Sequence, residues 1–177
     1  MQTDLEVLAE AIKQKNVVDA EIAQIIGRPA ERGHVGEYIA ARVFGITLEK
    51  SASKKGIDGW FTTGSLARKT VNIKWYGKME GILDVTLEKL PDYYLVMAGP
   101  NAPAKSSRGE IRPWVISYVY LFNARDLIRE LKMQGLKIGV AASVRNHLWE
   151  EAEVYPEQRN SQLLPSEDQK RLLALFR

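Results

Sequence analysis

The segment from Lys54 to Lys78 constrains the fold of this chain more than any other. It reads KKGIDGWFTTGSLARKTVNIKWYGK, in which two short runs of β-branched and aromatic residues flank a turn sequence at 62–65. Gly64 in that turn tolerates the positive φ that a chain reversal needs. The pattern predicts a β-hairpin, with a first strand at 57–61 and a second strand at 70–75.

Polar residues of the types that serve in catalytic and binding sites lie on this hairpin. Residues alternate between apolar and polar along the second strand, so Val71 and Ile73 share one face while Asn72 and Lys74 share the other. Asp58, on the first strand, comes close to the polar face if the hairpin register allows it. A carboxylate, an amide and an ammonium group then form a small polar site. Taken singly, Asp58 is also typical of a turn and Lys74 of a solvated strand that protects a sheet edge.

An acidic residue on one strand, followed by an acidic-x-Lys motif on the next, resembles the PD-(D/E)xK nucleases of the restriction-endonuclease-like superfamily. Asp58 matches the first acid and Lys74 matches the lysine. Ile57 stands in place of the usual proline, and Asn72 in place of the second acid. Glu37, in GHVGEYIAARVFG, matches the glutamate that such families often carry on the helix before the hairpin.

The resemblance implies a magnesium- or manganese-dependent DNA endonuclease that hydrolyses phosphodiester bonds, of restriction or repair type. Asp58 and Glu37 are then expected to hold Mg²⁺ (or Mn²⁺), together with the carbonyl of Ile73. Asn72 would supply an amide oxygen, and Lys74 would orient the attacking water and offset the charge of the transition state. The Asn72 departure supports an alternative, a catalytically inactive DNA-binding protein with a nuclease-like fold. A structural or protein-interaction domain, in which the polar hairpin residues are incidental, is the third hypothesis.

A second, local resemblance covers residues 20–40, AEIAQIIGRPAERGHVGEYIA. This run is similar to the helix-turn-helix of the alkylguanine-DNA alkyltransferases and their non-enzymatic relatives, although Gly33-His34 replaces an expected arginine. The chain contains no cysteine, so alkyl transfer to a thiolate is excluded, and so are disulfides and cysteine zinc sites. DNA binding remains as the implication of this segment.

Composition fits an ordinary globular protein of one domain. The chain has 177 residues, of which 45% are hydrophobic and 27% charged, and its formal net charge is +3. A mildly basic protein is compatible with nucleic-acid binding when the basic residues cluster. No apolar run approaches the length of a membrane span, and the N-terminus lacks the pattern of a signal peptide, so we expect a cytoplasmic protein without membrane contact.

The remaining patterns predict an α/β (α+β) fold with a mixed central sheet flanked by helices, as in the αβββαβ core of the nucleases. Residues 1–32 are expected to form a helical extension that contains two helices separated near residues 16–18, and residues 33–177 to form the nuclease domain. A helix is predicted from about Val35 to Phe44. Further strands are expected at 93–98, 114–122 and 137–143, and helices at about 123–132 and from Ser166 onward. The segment 82–90 fits either a strand or a helix.

Basic residues surround the predicted site in sequence and are candidates for phosphate contacts with double-stranded DNA. They are Lys54, Lys55, Arg68, Lys69 and Lys78, with Arg108 in a predicted loop. A solvated basic hairpin is the alternative. Since the two strands of a duplex are related by a two-fold axis, we expect a nuclease of this kind to act as a homodimer.

Overall fold

A computed structural model describes residues 2–50, 56–101 and 111–177 of the chain. Its helices are α1 (Asp4–Ile26), α2 (Arg32–Phe44), α3 (Ala124–Met133), α4 (Asn146–Ala152) and α5 (Glu167–Ala174), with a 3-10 turn at Gly64–Leu66. Its strands are β1 (Ile46–Leu48), β2 (Gly59–Phe61), β3 (Thr70–Tyr76), β4 (Ile82–Leu83), β5 (Tyr93–Ala98), β6 (Tyr118–Asn123), β7 (Ala142–Ser143) and β8 (Glu153–Tyr155).

The centre of the molecule is a six-stranded mixed sheet with the strand order β1-β2-β3-β5-β6-β8. β3 and β5 pair in parallel, whereas the other neighbours in the sheet are antiparallel. β4 and β7 form a separate two-stranded sheet. The predicted fold class, a mixed sheet flanked by helices, is confirmed.

Helices cover both faces of this sheet because each face presents a set of apolar side chains. On one face, Val71 and Ile73 of β3 pack in a core with residues of α2 and with Leu173 of α5. On the other face, the core contains residues of α3 and α4, among them Leu131 and Trp149. The result is a helix–sheet–helix sandwich whose central strands are buried on both sides.

The close contact between α2 and the sheet depends on Gly36. A Cβ atom at this position would lie 3.1 Å from Cβ of Trp75 and 3.3 Å from Cε of Met97. Glycine therefore allows the helix to rest directly on β3 and β5. Because Glu37 is the next residue, this contact also fixes where Glu37 stands relative to the hairpin.

The N-terminal region differs from the prediction of two short helices. α1 is continuous through Asn16 and Val17, starts at a capping box in which Thr3 and Glu6 bond reciprocally, and ends at Gly27 with a φ of 70°. Asparagine and β-branched residues each cost less than about 0.7 kcal/mol in a helix interior. Such residues lower helix propensity without stopping a helix, so the predicted break is wrong.

The other elements match the sequence patterns to different degrees. The strand at 93–98, the helix that begins after Asn123 and the capping box at Ser166 are confirmed. The predicted strand at 137–143 is wrong, because Gly139 and Ala141 have positive φ values that an extended strand does not adopt. Only its last two residues pair, as β7. The predicted strand at 114–122 starts later, at Tyr118.

The αβββ order, expected from the hairpin and the strand at 93–98, is formed instead by α2, β1, β2 and β3, because β1, which the sequence patterns did not predict, pairs with β2. The next helix, α3, comes only after β5 and β6, and the crossover from β3 to β5 contains the short β4.

No helix in the described part of the chain has the length and apolar character needed to cross a membrane.

Candidate functional site

Asp58 lies at the open end of the hairpin, one residue before β2. Its N–H donates to the carbonyl of Val71 at 2.9 Å, and its carboxylate Oδ2 accepts a hydrogen bond from the N–H of Ile73 at 2.6 Å. The first strand is thus shorter than predicted, and β3 continues past its end. Since the N–H and C=O of one strand residue point to the same edge, the Ile73 carbonyl lies on the edge that Asp58 occupies.

The pKa of Asp58 is raised above its ordinary value, chiefly because the carboxylate is buried. The hydrogen bond from Ile73 acts in the opposite direction, since it stabilises the ionised form. The negative charge of Glu37 raises the pKa further, while the positive charges of Lys74 and Arg28 lower it. The charges of Glu37 and Lys74, both predicted site residues, therefore act on Asp58.

Glu37 projects from α2 and pairs with a residue that the sequence analysis did not identify. Arg28 Nη1 lies 2.5 Å from Glu37 Oε2, and the Glu37 side chain is only 19% exposed. Arg28 stands in the turn between α1 and α2, where His34 Nδ1 lies 3.1 Å from the carbonyl of Pro29. No periodic pattern in the sequence links Arg28 to Glu37, because their contact depends on how the turn folds back on α2.

Asn72 and Lys74 line a cleft of about 380 Å³ on the face of β3 opposite to Ile73. The alternation predicted from the sequence is confirmed. Asn72 is 5% exposed, and its Oδ1 has no hydrogen-bond partner among the described residues. Buried polar atoms are nearly always paired. The Asn72 amide oxygen, which is itself buried, therefore lacks the donor that its burial calls for.

The opposite wall of this cleft comes from the crossover between β3 and β5, which the sequence analysis left unassigned. Asp84, Thr86, Glu88 and Lys89 line it, together with Tyr94. Asp84 is held firmly: its Oδ1 accepts from the N–H of Ala141 at 2.7 Å, and its N–H donates to the hydroxyl of Tyr76 at 3.0 Å. The crossover thus places two acidic side chains, Asp84 and Glu88, in the cleft of Lys74.

The donor set of the site consists of oxygen atoms. Within residues 2–50, 56–101 and 111–177, no group of three or more His, Asp or Glu side chains is arranged to hold a metal ion. The candidate donors are the carboxylates of Asp58 and Glu37 and the Ile73 carbonyl, whereas the Asn72 amide oxygen lies on the opposite face of β3 from α2. Mg²⁺ is commonly bound through one or two carboxylates plus water, so this set fits a magnesium ion better than zinc.

The predicted DNA-contacting residues lie at different positions around the hairpin. Arg68 and Lys69 are exposed at its turn, and Lys69 Nζ lies 3.7 Å from Asp92 Oδ1. Lys78 is half-buried just beyond the end of β3. Lys54, Lys55 and Arg108 lie outside the residues that the structure describes.

The second resemblance involves α2, which is the second helix of the two-helix segment. The helix buries Gly36, Ile39, Ala40, Val43 and Phe44, and its exposed positions are Gly33 and Arg42. Most of its surface faces the rest of the protein.

Comparison with known proteins gave no match to a protein-family model and none to a curated protein.

Proposed function

We propose that the protein is a metal-dependent DNA endonuclease that hydrolyses phosphodiester bonds. The observation that carries the proposal is the environment of Asp58. Its carboxylate is anchored on the edge of β3 by the Ile73 N–H, is buried enough to raise its pKa, and experiences the negative charge of Glu37. A bound cation would offset both the burial and the repulsion, so this arrangement favours a metal ion.

Asp58 and Glu37 would hold Mg²⁺ or Mn²⁺, with the Ile73 carbonyl on the same strand edge as a further donor. Asn72 lies on the face of β3 opposite to α2, so its amide oxygen would act from the cleft of Lys74 and not beside Glu37. When bound, such an ion lowers the pKa of a coordinated water and neutralises charge on a phosphate. Arg28 would share Glu37 with the ion, because the two residues form a salt bridge.

Lys74 has a different task. It is half-exposed in the cleft, and its charge acts on Asp58. Its ammonium group would donate hydrogen bonds to the attacking water and to a phosphate oxygen, which offsets the negative charge that builds up in the transition state. Asp84, on the opposite wall, would attract and orient the ammonium group.

Basic side chains around the hairpin would position a DNA duplex through its phosphates. Arg68 and Lys69 extend from the turn of the hairpin and Lys78 from the end of β3, so they bracket Asp58 along the strand direction. Lys54, Lys55 and Arg108 stay candidates for the same role. Contacts of this kind supply affinity without reading the base sequence.

A second candidate function is DNA binding without cleavage. It is favoured by Asn72, which replaces the second acid of the nuclease motif and leaves Asp58 and Glu37 as the carboxylates of the predicted metal site. A neutral amide is a weaker ligand for a hard cation than a carboxylate is. The fold and the basic residues would then serve binding alone.

Incubation of supercoiled plasmid with Mg²⁺, Mn²⁺ or EDTA separates these functions. We expect nicking by the wild type with either metal, none in EDTA, and at least about a 100-fold loss in Lys74→Ala. Lys132→Ala, on the exposed side of α3, is the matched control and should cleave normally. Salt-sensitive DNA binding without nicking would select the second function. If neither cleavage nor binding is found, both proposals fail.

A further inference from the structure

The N-terminal part of α1 stands away from the rest of the protein. We call residues 4–18 of this helix the arm, and every one of them is exposed. Its large apolar side chains include Leu5, Leu8 and Ile12, which are 76%, 54% and 49% exposed and lie on one side of the helix. Helices in water obtain most of their stability from packing an apolar face. The arm therefore carries a face that needs a partner.

An apolar groove lies at the base of the same helix. The groove has a volume of about 460 Å³ and is formed by the last turns of α1 together with α2 and α5. Ile22 and Ile25 of α1 line one side, Leu175 and Phe176 the other, and Trp114 contributes an indole ring that is 39% exposed. One chain thus carries both an apolar helix and an apolar groove.

The arrangement of arm and groove along one helix makes the surface self-complementary. When two α1 helices pair in antiparallel orientation, the N-terminal half of each faces the C-terminal half of the other. The arm of one copy then lies over Ile22 and Ile25 at the groove of its partner, and the reverse contact follows by two-fold symmetry. A parallel pair would place arm on arm and leave both grooves open.

Charge supports the same pairing. The first three turns of the arm contain Asp4, Glu6 and Glu10 and no lysine or arginine before Lys13. The groove is bordered by Arg42, which lines it and packs over the ring of Tyr38 at 5.2 Å, and Arg177 follows Phe176 directly. The acidic first turns of the arm therefore meet a basic border in the antiparallel arrangement, which favours this pairing over arm on arm.

We propose that the occupant of the groove is the arm of a second copy of this chain, so that the protein is a two-fold dimer held by reciprocal arm–groove contacts. The proposal does not depend on the proposed nuclease function. It identifies the surface of a dimer by apolar area, helix direction and charge rather than by the symmetry of DNA.

Sedimentation velocity and light scattering on the full chain test the proposal. We expect the wild type to be a dimer at micromolar concentration. The double variant Leu8→Asp/Ile12→Asp should be monomeric, and so should Leu175→Asp, which changes a side chain that is 72% exposed and so leaves folding intact. Each should raise the dissociation constant by more than about tenfold, because it places a charge in an apolar contact. Met133→Asp, at an exposed position on α3, is the control and should stay dimeric.

A mixing experiment distinguishes arm–groove contacts from other dimers. The arm variant keeps an intact groove and the groove variant keeps an intact arm. A heterodimer of the two therefore has one intact contact and should associate more tightly than the dimer of either variant alone. A monomeric wild type overturns the proposal. A dimer that is insensitive to Leu175→Asp, or a mixture that associates no more tightly than either variant alone, overturns it as well, since the arms would then pair with each other or with another surface.

Discussion

The carboxylate of Asp58 and the backbone N–H of Ile73 are joined by a hydrogen bond of 2.6 Å across the open end of the β2–β3 hairpin. The bond gives Asp58 a structural role beside its proposed chemical role. It holds the acid against the strand edge at the point where β2 has ended and no partner strand supplies an acceptor.

The two roles can be separated by substituting Asp58. The folded-state pKa is raised, so the ionised carboxylate destabilises the fold above that pKa, and the cost disappears as the pH falls through it. Asp58→Asn keeps an oxygen acceptor for Ile73 without the charge, and we expect it to melt higher than the wild type at pH 7.5 and equally at pH 3. Asp58→Ala should lose about 1–3 kcal/mol at pH 3 because it leaves a buried N–H without an acceptor. The loss should be smaller at pH 7.5, where removal of the charge offsets part of it. Thermal unfolding monitored by circular dichroism measures both. An Asp58→Asn protein that is less stable at pH 7.5 would contradict the direction of the shift.

Asn72 is the position at which the site departs from the nuclease motif. Asn72→Asp should restore a second acid, raise metal-dependent cleavage and cost about 1–3 kcal/mol in the absence of metal, because its side chain is 5% exposed. Added Mg²⁺ should recover that stability, since it binds the folded state. Asn72→Leu, similar in volume and without donors, serves as the control and should show no such recovery. Equal Mg²⁺ responses in differential scanning calorimetry would place the metal away from Asn72.

Two neighbouring charges of opposite sign shift the pKa of Asp58 in opposite directions. Arg28 lowers the pKa of Asp58 and Glu37 raises it, so Arg28→Gln should move the titration of Asp58 to higher pH and Glu37→Gln should move it to lower pH. Carboxyl ¹³C chemical shifts followed against pH measure both movements. Arg68→Gln, at the exposed turn of the hairpin, is the control and should leave the titration unchanged. Shifts in the same direction for Arg28→Gln and Glu37→Gln would show that the two residues act only through their mutual salt bridge.

The contact between α2 and the sheet offers a test of how Glu37 is positioned. Gly36→Ala would bring a methyl group to 3.1 Å from Trp75 Cβ, and we expect a loss of about 1–3 kcal/mol and weaker metal binding as α2 moves outward. Gly33→Ala lies on the same helix with no atom of a neighbouring element within 4 Å. It should instead gain about 0.5–1 kcal/mol from reduced chain entropy. Urea unfolding and Mn²⁺ titration check the pair, and equal stability changes would refute the close-contact explanation.

Sequence reasoning located the hairpin, its alternation and the charged residues at its open end, because period-two patterns and turn residues are local signals. Asn72 and Lys74 share a face as predicted, and Glu37 acts electrostatically on Asp58. The partner of Glu37 and the acid at Asp84 were not found, because each depends on chain segments that meet only after folding. The continuity of α1 was missed because Asn16 and Val17 weaken a helix without ending it.

The parallel pairing of β3 with β5 has a consequence for the order in which the molecule is assembled. Two parallel neighbours cannot be joined by a tight turn, so residues 77–92 must travel back along the sheet before β5 can dock. That returning segment also forms the wall of the cleft opposite to Lys74, since it carries Asp84 and Glu88. A chain that has formed only the β2–β3 hairpin therefore has Asp58 and Lys74 in position, but the edge of β3 that pairs with β5 is still free. The cleft around Lys74 forms only when β5 pairs with β3. Formation of the site therefore depends on a long-range parallel strand pairing, which is the slowest kind of contact in the sheet to form.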